Sequence, residues 1–198
     1  MDQRPHERRG HVGARTALIH FRPAHKDDGE ALAIMVRWAN DPAIRHLFRP
    51  FTDQQHAARP KTLVSAASDL ASAMESGRQM YFIELDGAVV GEVNLVMNPP
   101  HLHEPLGETA WFGIVIGEEE ARGKGIGAEA IRFIEEVARG EGAIWAQIGV
   151  FEFNERARRL YENLGYHEIA RKADATWWKG KLWTDIRMQK QLQVPQPT

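Results

Sequence analysis

The chain contains no cysteine. Disulfides, thiolate metal sites and a cysteine nucleophile are therefore excluded. Absence of disulfides fits a reducing compartment, so a cytoplasmic location is the expectation. No stretch approaches the ~20 apolar residues of a membrane span. Residues 1–15 hold Arg4, Arg8, Arg9 and Arg15 but no apolar run of the kind a secretory signal requires. No charge sign dominates either: 25 Lys and Arg face 27 Asp and Glu, a formal net charge of -2. A nucleic-acid-binding domain usually shows a clustered basic surplus, so neither nucleic acid nor membrane is expected as a partner.

At 198 residues the chain has the length of one domain and can bury a sizeable core. The basic first segment, residues 1–16, reads as a disordered tail, and residues 191–198, rich in Pro and Gln, as a loose end. Between them, residues 17–190 alternate strand and helix patterns. Ala17 to Phe21 is a short apolar run. Asp27 and Asp28 offer capping oxygens to a helix that stops before Pro42. Lys61 to Ser76 has helical periodicity and ends at Gly77. Met80–Leu85 and Ala88–Met97 flank Asp86-Gly87, a strong hairpin signal. Glu108–Ile116 is a further strand. A helix follows from about Ala128, then a strand Ala143–Phe151, a helix opened by Asn154, and two last strands around Gly180. The order predicts a mixed α/β domain with a single crossover near its centre.

Residues Arg122-Gly-Lys-Gly-Ile-Gly127 lie between a strand and a helix. A diphosphate needs several backbone N–H donors aimed at one spot, and glycine leaves that approach clear. The helix that follows supplies unpaired amides and a dipole that favours an anion. The segment is not a P-loop, because Gly125 stands where Ser or Thr should follow Lys124. Gly123, Gly125 and Ala128 do satisfy a dinucleotide fingerprint, with Glu152 near the distance of a ribose-binding acid. Against it, Glu118 to Arg122 intervene between strand and glycines, and too few βαβ units follow. A tight strand-to-helix turn with no ligand is the third reading.

Two segments together, Arg122-Gly-Lys-Gly-Ile-Gly-Ala128 after Trp111–Ile116, and Asn154-Glu-Arg-Ala157 with Leu160-Tyr161-Glu-Asn-Leu-Gly165-Tyr166, resemble the GCN5-related N-acetyltransferase (GNAT) superfamily. Trp38-Ala-Asn-Asp41-Pro42 and Gly91–Leu95 are similar to its branch of ribosomal-protein N-terminal acetyltransferases. The resemblance implies a central, mostly antiparallel twisted sheet of six to seven strands flanked by helices. It also implies acetyl-CoA as cosubstrate, with no metal. The reaction would be acetyl transfer to a primary amine of a small molecule or peptide N-terminus, by direct attack in a ternary complex. A non-catalytic acyl-CoA-binding regulatory domain is the alternative on the same fold. A nicotinamide-dependent oxidoreductase is the remote one. Homodimerisation, common in such proteins, is allowed.

By the same resemblance, Arg122, Gly123, Lys124, Gly125, Ile126, Gly127 and Ala128 hold the coenzyme A diphosphate. Val115 and Ile116 offer backbone groups to the pantetheine and acetyl carbonyl. Asn154 is a natural helix N-cap, to which the resemblance adds a coenzyme A contact. Tyr161, two helical turns after Asn154, is the candidate acid for the leaving thiolate; a satisfied core tyrosine is the other reading. Glu108 is the first candidate base, or an exposed strand-end carboxylate. Glu92, on a strand face opposite Val93 and Leu95, is the second. His101-x-His103-Glu104 reads as a surface loop rather than a metal site.

Overall fold

The computed structural model describes residues 6–12, 15–25 and 27–192. Its strands form one sheet in the order β1-β2-β3-β4-β5-β6-β8-β7. These are β1 (His6–Val12), β2 (Arg15–Pro23), β3 (Gln79–Leu85), β4 (Ala88–Met97), β5 (Thr109–Ile116), β6 (Trp145–Phe151), β7 (His167–Trp178) and β8 (Lys181–Gln191). Among the described strands only β5 and β6 pair in parallel, and α5 (Ile126–Gly140) is their crossover.

Seven of the strands answer the expected architecture. The eighth corrects the reading of residues 1–16 as a loose tail: His6–Val12 pairs antiparallel with β2, from His6↔Phe21 to Val12↔Arg15. A strand at a sheet edge needs only backbone groups to pair, so its arginine-rich composition hid it. Residues 1–5 and 193–198 lie outside the described residues, whereas Gln191, assigned to the C-terminal tail, ends β8.

Local chemistry explains most boundaries. Asp28 caps α1 (Gly29–Asn40) by accepting from the Ala31 amide at 3.0 Å. Thr62 and Ser65 close a capping box at the start of α4 (Leu63–Glu75). Asp86 and Gly87 have φ of 50° and 86°, as a primed hairpin turn between β3 and β4 requires. Two short helices, α2 (Arg45–Phe48) and α3 (Gln54–Ala58), occupy the segment before α4.

Helices cover both faces of the sheet. On one face α5 and α6 (Glu155–Asn163) pack on Val93, Leu95, Phe112 and Ile148 in the main core. On the other, Ala31 of α1 meets Phe82 and Met80 of β3. Trp38, in the last turn of α1, is buried, and its Nε1 donates to Glu118 at 2.8 Å. Its indole lies so close to Gly117 that a Cβ there would sit 2.1 Å away. Glycine at 117 thus lets α1 dock against the end of β5.

Candidate active site

The parallel pairing of β5 with β6 runs only from Thr109↔Trp145 to Phe112↔Ile148. Beyond it, Gly113–Ile116 stay paired with β4, and Gly149–Phe151 with β8. The sheet therefore opens in its middle. Residues from both strand ends line a cleft of about 840 Å³. Gly117 donates its amide to Val90 of β4. Alternation along β5 then turns the amide of Ile116 the other way, into the opening.

The glycine loop stands at the mouth of this opening. Gly123 and Gly125 both have φ of 81°, and Gly125 is the N-cap of α5. Among the described residues, nothing accepts from the amides of Gly123, Lys124 or Gly125. Those of Ile126 and Gly127 lie in the first helical turn, which has no intrahelical acceptor. Five consecutive donors thus line one bend. Ile126 points its side chain into the core, leaving its backbone to the site. Gly127 packs on Leu160 of α6, where a Cβ would meet the leucine at 3.2 Å.

Two basic residues depart from the expected picture. Lys124 is exposed and does not line the cleft. Arg122 turns its guanidinium backwards, donating from Nε to Ile116 O at 3.0 Å and from Nη2 to Gly117 O at 2.6 Å. It ties the loop to the end of β5. A cation that the sequence reading missed is Arg156. Its Nη2 lies 3.1 Å from where a Cβ of Gly123 would be, and it lines the cleft. Only its place in the first turn of the helix after Asn154 could have signalled it.

Asn154 accepts from the Ala157 amide at 3.2 Å as the α6 N-cap and also lines the cleft with Ala128. Tyr161 is 5 % exposed and lines the cleft from α6. Burial pushes its hydroxyl well above the usual phenol range, so it keeps its proton.

The two carboxylate candidates separate cleanly. Glu108 is exposed, outside the cleft lining, and accepts from Asn98 Nδ2 at 2.6 Å. It stands at the far end of β5, about 23 Å of extended chain from Val115, and is not brought to the site. Glu92 is 7 % exposed and lines the cleft. Its Oε2 has no hydrogen-bond partner among the described residues. Burial raises its pKa to about 7, against the pull of nearby Arg78. Its register partner is Val115, so it sits beside the splayed strand end. Glu92 and Tyr161 approach the opening from opposite faces of the sheet.

On the face shared with Glu92 lie Arg78 and Arg187, which the sequence did not single out, and the histidines of the 98–108 loop, which it did. Arg78 donates to Asn94 Oδ1. Arg187 of β8 pairs through Nε with Asp185 at 2.9 Å and stacks over Trp111 at 4.5 Å. His101 meets the same indole edge-on at 4.8 Å, and His103 donates its amide to Gln147. Among the described residues no three His, Asp or Glu gather as metal ligands, and no helix is long and apolar enough to cross a membrane.

Comparison with known proteins bears on this geometry. Residues 38–166 match the model of the Acetyltransferase (GNAT) family. No curated protein sequence matches the chain. Among solved structures, an N-acetyltransferase from Staphylococcus aureus Mu50 superposes with TM-score 0.69 at 16% identity, covering 90% of this chain and 100% of that one. Salmonella typhimurium yncA with its cofactor acetyl-CoA gives TM-score 0.66 at 18% identity, over 88% and 94%. A ribosomal-protein-alanine N-acetyltransferase from Brucella melitensis gives 0.66 at 22%, over 87% and 99%. At such identities the structures speak for the fold alone. The dinucleotide reading is not retained, because a 3-10 turn, Glu119–Ala121, separates β5 from the glycines and the sheet is not doubly wound. By its family match over most of its length, and by a fold shared with these acetyltransferases, the chain belongs to the GNAT acetyltransferase family.

Proposed function

We propose that the protein transfers the acetyl group of acetyl-CoA to a primary amine, of a small molecule or a peptide N-terminus, by direct attack in a ternary complex. The observation that carries this reading is the run of unpaired amides from Gly123 to Gly127 at the mouth of the strand opening. They match a diphosphate in charge and number, and Arg156 adds a cation beside them. The opening between β5 and β6 has the width of missing ladder pairs, which suits a pantetheine arm lying along Val115 and Ile116. The yncA structure holds acetyl-CoA on a similar fold, which supports the same ligand here.

The chemistry follows from four groups. Glu92, whose pKa is about 7, takes a proton from the incoming ammonium near neutrality. The neutral amine attacks the thioester carbon, and the Ile116 amide donates to the carbonyl oxygen as charge builds there. The C–S bond breaks as the C–N bond forms. Tyr161 gives its proton to the departing thiolate. The surplus proton on nitrogen restores the phenol, and Glu92 passes its own proton to water. Holding both reactants in one cleft supplies much of the rate.

Titration calorimetry with acetyl-CoA, together with thiol release across an amine panel, tests the reading. Binding in the micromolar range and amine-dependent thiol release are expected. Absence of coenzyme A binding would refute it; binding without thiol release for any amine would leave only a coenzyme-binding domain.

A further inference from the structure

The acceptor side of the cleft carries charges that a plain amine would not use. Glu92 is a natural seat for an ammonium, but the same sheet face also holds Arg78, Arg187 and Lys172, all lining the cleft. Asp185, beside Arg187 and Lys172, is taken up through Arg187 Nε. Arg187 Nη1 is buried and has no partner among the described residues, as is Glu92 Oε2. Buried side-chain donors are rarely left unsatisfied without a reason. Here two orphaned atoms of opposite charge line one cavity.

Register places them on the same face. Glu92 opposes Val115 on β5, and Trp111 lies two alternations further along that strand. Gly149 of β6 opposes Arg187, and a Cβ on Gly149 would touch the Trp111 ring at 3.0 Å. The absence of a side chain at Gly113 makes room for Asn94, and at Gly149 for Asp185 and Trp111, all of which line the cleft. Arg187 lies over Trp111 and pairs with Asp185, and its side chain is only 13% exposed, so its guanidinium is held in the cleft rather than trailing in solvent. A planar guanidinium with a free N–H suits a carboxylate.

Resting on the transferase reading above, we infer that the acceptor is a free amino acid: its amine docks at Glu92 and its carboxylate at Arg187, with Arg78 and Lys172 adding positive field. A polyamine would meet three cations. A peptide N-terminus would bring an amide where Arg187 calls for an anion. The ammonium and carboxylate of one small molecule satisfy both orphaned atoms at once.

The test uses the protein saturated with coenzyme A for binding and with acetyl-CoA for turnover. The twenty protein amino acids are each compared with their carboxamide and with the amine left on removing the carboxyl group. At least one amino acid is expected to bind, and to be acetylated with kcat/KM at least tenfold above both its partners. Arg187→Gln should bring that ratio towards one, chiefly through KM, while Arg187→Lys keeps part of it. Arg78→Gln, which leaves the Asp185 pair intact, serves as the second variant should the first fail to fold. Carboxamides or plain amines used as well as the acids, or no binding by any amino acid, would overturn the inference. Turnover of amines without carboxylate preference would sink this inference and spare the transferase reading. Amino-acid binding without thiol release would overturn the transferase reading and the acceptor role with it, leaving Glu92 and Arg187 as a binding site only.

Discussion

Arg122 reaches back to Ile116: the first residue of the glycine loop donates from its guanidinium to the last carbonyl of β5, and to that of Gly117 beside it. The loop that would grip the diphosphate and the strand end that would face the thioester are therefore one mechanical unit. Arg122→Ala should leave these carbonyls without a donor, which costs about 1–3 kcal/mol when such groups are shielded from water. The expected outcome is a lower melting temperature together with at least a tenfold rise in KM for acetyl-CoA. A variant that binds acetyl-CoA as the parent does would show that Arg122 does not hold the loop.

Gly117 tests the docking of α1. A methyl group there meets the Trp38 indole at 2.1 Å. Overpacking of this kind costs about 1–3 kcal/mol, and for a chain of this size each kcal/mol shifts the melting temperature by about 2–4 °C. Gly117→Ala should therefore melt several degrees lower in calorimetry. Trp38→Ala should cost less in that background than in the parent, because it also removes the colliding ring.

Tyr161→Phe keeps the packing of the ring and deletes the proton donor. We expect kcat to fall by about 10²-fold or more, the usual scale for a positioned acid, with KM for acetyl-CoA little changed. Rapid-quench kinetics would show the loss in the chemical step. An unchanged kcat would return Tyr161 to the role of a core tyrosine, the reading its burial alone supports.

Glu92 links activity and stability to pH in opposite directions. Its folded pKa, about 7, lies above the ordinary 4.5. Between those values the native state holds a proton that the unfolded chain has lost. The group's contribution is thus most favourable below about pH 4.5 and declines as pH rises towards 7, by about 3 kcal/mol in all. Acceptor kcat/KM should instead rise through pH 7 as the carboxylate forms. Glu92→Gln should flatten the stability decline, measured by urea unfolding at pH 5 and pH 8, and remove the inflection near 7 from the rate profile. Retention of both features would assign them to other groups, such as Asp185, whose pKa burial also raises.

Glu108→Gln offers the contrast. Its carboxylate is exposed and serves Asn98 at the root of the 98–108 loop. Turnover should stay within about twofold of the parent, as for a surface change worth roughly 0.5 kcal/mol. A large fall in kcat would restore it as the base.

Local signals carried the sequence reading well. Asp28 and Asn154 mark helix starts through short-range capping, and Asp86-Gly87 marks a hairpin through φ alone; each is written within a few residues. Glu92 was placed on the strand face opposite Val93 and Leu95 by period-two alternation, and it lines the cleft. What stayed hidden depends on partners far along the chain. Glu108 and Glu92 are both acids near strand residues; only the direction of β5 and its divergence from β6 put one in the cleft and the other outside it. Arg187 gains its role from β8 pairing with β6 and from Trp111 two strands away, a separation no local pattern encodes. His6–Val12 was missed because a charged edge strand has no apolar alternation to betray it. Val64, apolar and inside the helical pattern of α4, is 81% exposed, because Ala66 and Leu70 are the residues that helix buries.

The central claim is that main-chain amides of residues 123–127 hold the coenzyme A diphosphate. Amide NMR of the labelled protein tests it directly, by comparing titration with coenzyme A against titration with pantetheine, which lacks the diphosphate. Large, saturable shifts are expected at Gly123, Lys124, Gly125, Ile126 and Gly127 with coenzyme A, and little change at those five with pantetheine. Coenzyme A binding that leaves these amides unmoved would contradict it.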